Sequence, residues 1–137
     1  MRIFWDTNVI LDLIDADRPD HLYAKSILKW SASKPIRHLC AWHTLSIVDY
    51  LVCKKFGRTD TNEILKQMLS VYSIPPTGTE QANEAFSYLN QDHEDAMQIA
   101  AAVLGKADCI ITRDTPGFSN SPIAVMSPSQ FLMNYAK

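Results

Sequence analysis

The 137 residues of this chain suffice for one domain with a buried core and are too few for two. A composition of 47% hydrophobic and 20% charged residues is typical of a globular protein and excludes a disordered one. The net charge of −2 excludes a generally basic, DNA-coating protein. No apolar run approaches the roughly 18 residues of a membrane span, and the N-terminus lacks a signal-peptide pattern. We therefore expect a cytoplasmic protein with reduced cysteines.

Short apolar runs alternate with stretches of helical periodicity along the chain. The runs predict strands at residues 2–5, 37–41, 71–74, 109–112 and 123–125. The periodic stretches predict helices at 9–14, 20–30, 44–56, 80–89 and 94–104, another opening near 59, and a terminal helix from residue 128. This alternation predicts a central parallel sheet in a three-layer α/β/α sandwich, with residues 1–137 as one domain.

Three acids are predicted at the same edge of this sheet. Asp6 follows the first strand, Asp114 follows the 109–112 strand, and Asp95 opens the helix before that strand. Strand ends and helix starts share one edge in such folds, and ligands bind there. Each acid alone has a purely structural interpretation, as a helix cap, a partner of a helix dipole or a turn residue. Their meeting at one edge favours a functional site.

Asp49 is a fourth candidate, for a different reason. It lies within the apolar stripe formed by Leu45, Val48 and Val52 on the 44–56 helix. A carboxylate facing a core is costly unless it is paired or binds metal. Asp49 lies about 7 Å along the helix from Thr44, at ~1.5 Å per residue, which is close enough to reach the other acids. The alternative is a pairing with Lys or Arg.

Four carboxylates without matching histidine or cysteine suit a hard cation, Mg²⁺ or Mn²⁺. Such ions activate water and neutralise charge in phosphodiester hydrolysis. Asn8 and Thr112 are candidates to hydrogen-bond the carboxylates or a phosphate. Arg113 is either a phosphate-binding residue or an inconsequential arginine at the rim. Asp12 is expected to face solvent.

Three segments, in order, resemble the motifs of PIN-domain nucleases, and the resemblance spans residue 2 to about 133. They are Ile3-Phe4-Trp5-Asp6-Thr7-Asn8-Val9-Ile10-Leu11-Asp12, His93-Glu94-Asp95-Ala96-Met97-Gln98 and Ala107-Asp108-Cys109-Ile110-Ile111-Thr112-Arg113-Asp114. The resemblance implies a parallel-sheet α/β/α fold and Mg²⁺- or Mn²⁺-dependent RNA cleavage by Asp6, Asp95 and Asp114. It also implies a VapC-type toxin with an antitoxin partner, and such toxins commonly form homodimers. The family's remaining acid is usually Glu, so Asp49 departs from the pattern.

Two other functions remain open at this point. One is an RNA-binding module that keeps the fold and cleaves poorly, because Asp49 stands where Glu is usual. The other is a Mg²⁺-dependent phosphohydrolase of a different α/β family, although Asp6-Thr7-Asn8 lacks the second Asp that phosphoaspartate enzymes show.

Overall fold

A computed structural model describes residues 1–136. In this described part of the chain, five short parallel strands form one sheet in the order β3-β2-β1-β4-β5. They are β1 (Arg2–Trp5), β2 (Arg37–Leu39), β3 (Tyr72–Ser73), β4 (Cys109–Ile111) and β5 (Ala124–Met126). The predicted parallel sheet is confirmed, and each strand lies within two residues of its predicted position.

Within residues 1–136, seven α-helices cover the two faces of the sheet. They are α1 (Thr7–Ile14), α2 (His21–Ser31), α3 (Trp42–Phe56), α4 (Arg58–Val71), α5 (Thr79–Glu84), α6 (His93–Leu104) and α7 (Pro128–Tyr135). Short 3₁₀ turns follow at Ala85–Tyr88 and Pro116–Phe118. Gly57 ends α3 at φ 83°, a left-handed conformation that a side chain would disfavour. None of the helices within residues 1–136 is long and apolar enough to cross a membrane.

Successive residues of the central strand β1 face opposite sides of the sheet and enter two separate cores. Ile3 and Trp5 pack with residues of α1 to α4 and α7, whereas Phe4 packs with residues of α6 and the 116–118 turn. All three side chains are fully buried. This burial on both faces explains why the strand reads as a continuous apolar run.

The order of the strands reverses at β1. The chain leaves β1 towards β2 and β3, and then returns to β4 on the other side. Beyond the carboxyl ends of β1 and β4 such a reversal leaves a crevice, which is the usual position of a ligand site in an open α/β sheet. The fold therefore places the residues after Trp5 and Ile111 at this crevice.

A chain of buried hydrogen bonds fixes the protonation state of His38 on β2. Trp5 Nε1 donates to His38 Nδ1 at 3.0 Å, so this nitrogen must be unprotonated. His38 Nε2 therefore carries the proton and donates to Ser31 Oγ at 2.9 Å, while Ser31 Oγ donates to the carbonyl of Leu28 at 2.8 Å. The imidazole is neutral in this network, and burial lowers the pKa of His38 below its ordinary value of 6.5.

We expect His38 to make the protein less stable in mild acid. Because the folded pKa is lowered, the unfolded chain takes up a proton first as the pH falls through about 6.5. The stability that the neutral His38 imidazole contributes is complete above that pH and is lost below it, at up to about 1.4 kcal/mol per pH unit. His38→Asn, which cannot titrate there, should show a shallower decline in urea-unfolding free energy between pH 7.5 and pH 5. His93→Asn, which removes an exposed histidine, is the control. The prediction fails if the pH profile of His38→Asn runs parallel to that of the wild type.

Candidate active site

Five acids line one cleft of about 280 Å³ at the crevice beyond β1 and β4. Three of them, Asp6, Asp95 and Asp114, were predicted to meet here from the alternation of strands and helices. The other two belong to the start of α6, namely Asp92 and Glu94. Asp92, Asp95 and Asp114 also line an adjoining cleft of about 490 Å³. The acids therefore lie along a continuous open groove.

Asp6 is the buried member of this cluster, with only 3% of its surface exposed. Its Oδ1 accepts a hydrogen bond from Gln98 Nε2 at 2.9 Å, and its Oδ2 accepts one from Thr112 Oγ1 at 2.7 Å. Asp6 precedes α1, but its side chain makes no capping hydrogen bond. Burial raises the pKa of Asp6, although the two donors oppose that shift. Gln98 and Thr112 thus hold this carboxylate in a fixed orientation at the cleft.

Glu94 is an acid of the cleft that was not among the candidate ligands predicted from the sequence. Its carboxylate accepts hydrogen bonds from Gln98 Nε2 at 2.9 and 3.0 Å and contacts His43 Nε2 at 3.3 Å. Burial raises the pKa of Glu94, but the hydrogen bonds from His43 and Gln98 outweigh it, and the net shift is downward. Glu94 is therefore a charged member of the cluster. The one sequence signal for it was its i, i+4 spacing from Gln98 on α6.

Gln98 lies between the two carboxylates and is fully buried. Its Nε2 donates to both Asp6 and Glu94, and its Oε1 accepts from the backbone N–H of Thr7 at 3.1 Å. One neutral amide thus separates two acids and fixes the orientation of both. This role could not be predicted from the sequence, because Gln98 and Asp6 are 92 positions apart.

Gln98→Met should loosen the acid cluster while leaving the core filled. Met is close to Gln in size but cannot donate a hydrogen bond to either carboxylate. Groups that orient metal ligands are typically worth about 10–100-fold in metal affinity. We expect Mn²⁺ affinity, measured by calorimetry, to fall by that factor in the folded variant. Met97→Gln, at the neighbouring position on α6, serves as the control. Unchanged affinity in Gln98→Met would show that the amide only fills space.

Asp95 is a half-buried acid whose pKa is strongly raised by its surroundings. Burial, the hydrogen bond to Glu94, and the charges of Asp92, Glu94 and Asp6 raise the pKa of Asp95 to about 8. Oxygen atoms of Asp92, Glu94 and Asp95 lie within 4.8 Å of one another, a spacing that suits a single cation. Carboxylates crowded in this way repel each other, and a divalent cation relieves the repulsion.

Asp114 reaches the cluster from the loop after β4. Its backbone N–H donates to Thr112 Oγ1 at 3.0 Å, and its Oδ1 accepts from the backbone N–H of Gly117 at 3.1 Å. A Cβ at position 117 would overlap Asp114 Oδ2 and would lie 3.0 Å from Asp95 Oδ2. The two carboxylates therefore converge on the small space that glycine leaves open.

The family model described as PIN domain matches residues 2–116 of the chain. The chain belongs to the PIN-domain family. It is 23% identical over 135 residues to Ribonuclease VapC1 of Aquifex aeolicus, a match that covers 95% of this chain and 92% of the relative. The resemblance of the three acidic motifs to this family is thereby confirmed.

Solved structures of toxin–antitoxin proteins share the fold of this PIN domain. The structure of VapBC-1 from nontypeable Haemophilus influenzae matches with a TM-score of 0.72 at 12% identity, covering 94% of this chain and 99% of that chain. A toxin–antitoxin complex from Klebsiella pneumoniae matches with a TM-score of 0.69 at 25% identity, covering 92% and 97%. The three-layer α/β/α architecture predicted from the sequence is confirmed.

Asp49 does not lie with the other acids of the PIN domain, contrary to the prediction from the apolar stripe. Its carboxylate forms an ion pair with Arg58 at the start of α4, and its side chain is 36% exposed. The residues of α3 that line the cleft are Ile47 and Leu51, on the opposite side of the helix. The ion pair with Arg58 explains why a carboxylate is tolerated beside the apolar stripe. Hydrogen bonds from Arg58 lower the pKa of the Asp49 carboxyl. The acids that join Asp6, Asp95 and Asp114 in the cleft are Asp92 and Glu94.

The remaining candidates divide between the cleft and its surroundings. Asn8 is exposed and lines the cleft, and Thr112 is buried and donates to Asp6. Arg113 forms an ion pair with Asp12, its Nε lying 2.8 Å from Asp12 Oδ2. Asp12 is only 1% exposed, so the expectation that it faces solvent was wrong. Two arginines from other segments form ion pairs with it and offset the cost of burying its charge.

Proposed function

We propose that this PIN domain is a metal-dependent endoribonuclease that uses Mg²⁺ or Mn²⁺. The observation that carries the proposal is the convergence of Asp6, Asp95 and Asp114 on one open cleft. The donor set consists of carboxylate oxygens, and within residues 1–136 neither cysteine nor histidine joins the closest group of acids, which is Asp92, Glu94 and Asp95. Hard divalent cations prefer such oxygens. The named activity of the Aquifex relative supports RNA as the substrate.

Asp6, Asp95 and Asp114 would hold the cation, with Glu94 and Asp92 beside them. A bound divalent cation would lower the pKa of an attacking water and neutralise charge on the phosphate and the leaving oxygen. Thr112 and Gln98 fix the orientation of the Asp6 carboxylate through hydrogen bonds. Asn8 lies exposed in the cleft, where its amide can donate to a phosphate oxygen.

RNA cleavage by the purified protein with Mg²⁺, with Mn²⁺ and with EDTA tests the proposal. We expect cleavage with either metal, none with EDTA, and none with Asp6→Asn. Asp49→Asn is the matched control, because it makes the same chemical change in an acid that lies outside the cleft. Cleavage that survives EDTA or Asp6→Asn would contradict the metal mechanism. RNA that binds without being cut under every metal would favour an RNA-binding module.

We further propose that the protein is the toxin of a toxin–antitoxin pair. The support is that structures of the same fold include toxin–antitoxin complexes. The test is whether a short DNA-binding protein is encoded directly beside this chain and, when both are expressed, co-purifies with it and blocks RNA cleavage. A neighbouring protein that neither binds nor inhibits would contradict this assignment.

A further inference from the structure

Asp12 is a buried carboxylate whose charge the cleft does not use. It lies on α1, six positions after Asp6, and 1% of its side chain is exposed. Two guanidinium groups face it from different segments: Arg18 Nε is 3.0 Å from Oδ1, and Arg113 Nε is 2.8 Å from Oδ2. Within residues 1–136, neither oxygen has a hydrogen bond of normal geometry. The burial of this charge is therefore offset by the two ion pairs.

Arg113 links this ion pair to the cleft through the backbone. It stands between Thr112, whose hydroxyl donates to Asp6, and Asp114, which lines the cleft. Its Nε also lies 3.6 Å from Asp20 Oδ2, so two carboxylates attract its guanidinium away from the acid cluster. The side chain of Arg113 is 38% exposed, whereas that of its partner Asp12 is buried within the domain. The buried Asp12 carboxylate is therefore fixed in position, and the ion pair restrains the loop that carries Arg113.

We propose that the Asp12–Arg113 ion pair positions the 112–114 segment so that the Asp114 carboxylate is in place to receive the divalent cation. This inference rests on the proposed metal site. It gives Arg113 the role of restraining the 112–114 segment instead of binding phosphate. Arg113 is accordingly a positioning residue that acts through Asp114. Arg18 contacts the same carboxylate but belongs to the turn after α1, and neither it nor its neighbours in that turn line the cleft.

The test compares Arg113→Met with Arg18→Met in calorimetric titration with Mn²⁺ and no RNA. Both variants remove one guanidinium from Asp12, and each lowers the stability of the metal-free protein. Only Arg113→Met should weaken Mn²⁺ binding, by about 10–100-fold, the usual loss when a group that orients metal ligands is removed. Arg18→Met should bind Mn²⁺ like the wild type.

The sign of the effect separates positioning from simple electrostatics. Removing a positive charge near a cation site strengthens cation binding through charge alone. Weaker binding by Arg113→Met therefore requires displacement of a ligand, and binding equal to or tighter than that of the wild type would overturn the proposal. A parallel loss in Arg18→Met would also overturn it, because the effect would then reflect Asp12 in general.

Two further measurements keep the result interpretable. If Arg113→Met does not fold, as judged by circular dichroism, Arg113→Lys replaces it. Lys keeps the charge but cannot reproduce the Nε contact, so Mn²⁺ binding should still weaken. Wild-type affinity in Arg113→Lys would contradict the proposal. If the wild type itself binds no Mn²⁺, the proposed metal site fails; if the wild type binds and the arginine variants match it, only the positioning role fails.

Discussion

Asp95→Asn is expected to lower RNA cleavage by roughly a thousandfold, which corresponds to about 4 kcal/mol of transition-state stabilisation. Asn keeps the size of the side chain but removes a negative charge from the closest group of acids in the cleft. The loss should appear in single-turnover cleavage at saturating Mg²⁺, where substrate binding and product release do not limit the rate.

The same substitution is expected to stabilise the metal-free protein. The pKa of Asp95 is raised to about 8, so the folded state holds a proton that the unfolded chain has already released. The resulting stabilisation is present below about pH 4 and is lost as the pH rises towards 8. Asn cannot titrate and does not suffer this loss. In EDTA at pH 8, Asp95→Asn should therefore melt at a higher temperature than the wild type.

Adding Mn²⁺ should reverse the order of the two melting temperatures. Metal binding to the native state stabilises it by an amount that grows with the logarithm of the affinity, and we expect the wild type to bind Mn²⁺ more tightly. Asp49→Asn is the control, because its carboxyl is paired with Arg58 outside the cleft. An Asp95→Asn protein that keeps wild-type cleavage, or that is less stable than the wild type in EDTA at pH 8, would contradict the crowded-acid interpretation.

Gly117→Ala should reduce both cleavage and Mn²⁺ affinity, by about 10–100-fold. The added methyl group would overlap the carboxylate of Asp114 and would press on that of Asp95. The cheapest response is rotation of the Asp114 side chain, which breaks the hydrogen bond from the Gly117 backbone. The fold should persist, since the displaced group is the end of a short side chain on a loop.

Gly78→Ala is the matched control for this prediction. Its Cβ would meet no other atom within 4 Å, so the same chemical change there should leave cleavage and Mn²⁺ binding unchanged. Mn²⁺ titration and circular dichroism of both variants separate a displaced ligand from a damaged fold. Wild-type affinity in Gly117→Ala would show that Asp114 can move without cost and is not a ligand in this geometry.

The edge of the sheet at which the acids meet could be predicted from the sequence, because it depends on local patterns of strands and helices. Alternating strands and helices fix which ends of the elements meet, and that placed Asp6, Asp95 and Asp114 together before any contact was known. The contacts that orient these acids could not be predicted in the same way. Gln98 reaches Asp6 from a distant part of the chain, and helical periodicity alone marks it as one more core-facing position.

The two errors, on Asp49 and Asp12, have a common physical origin. An apolar stripe shows which side of a helix is buried but not which neighbouring element covers each flank. Asp49 lies at a flank that α4 covers, where Arg58 pairs with it, and the cleft runs along Ile47 instead. Asp12 is buried and paired with two arginines, of which Arg113 comes from the loop after β4. In both cases the deciding arginine belongs to a different element.

The position of β1 at the centre of the sheet gives the acids of the cleft unequal anchorage. Asp6 follows a strand that is paired on both sides, and its own backbone N–H donates to Ile111 at 2.9 Å. Asp114 belongs to a loop, and Asp95 to the first turn of a helix. Local opening and amide hydrogen exchange should therefore be slowest at Asp6 and faster at its partners. A cation shared by the three would join segments of different local stability into a single cooperative unit.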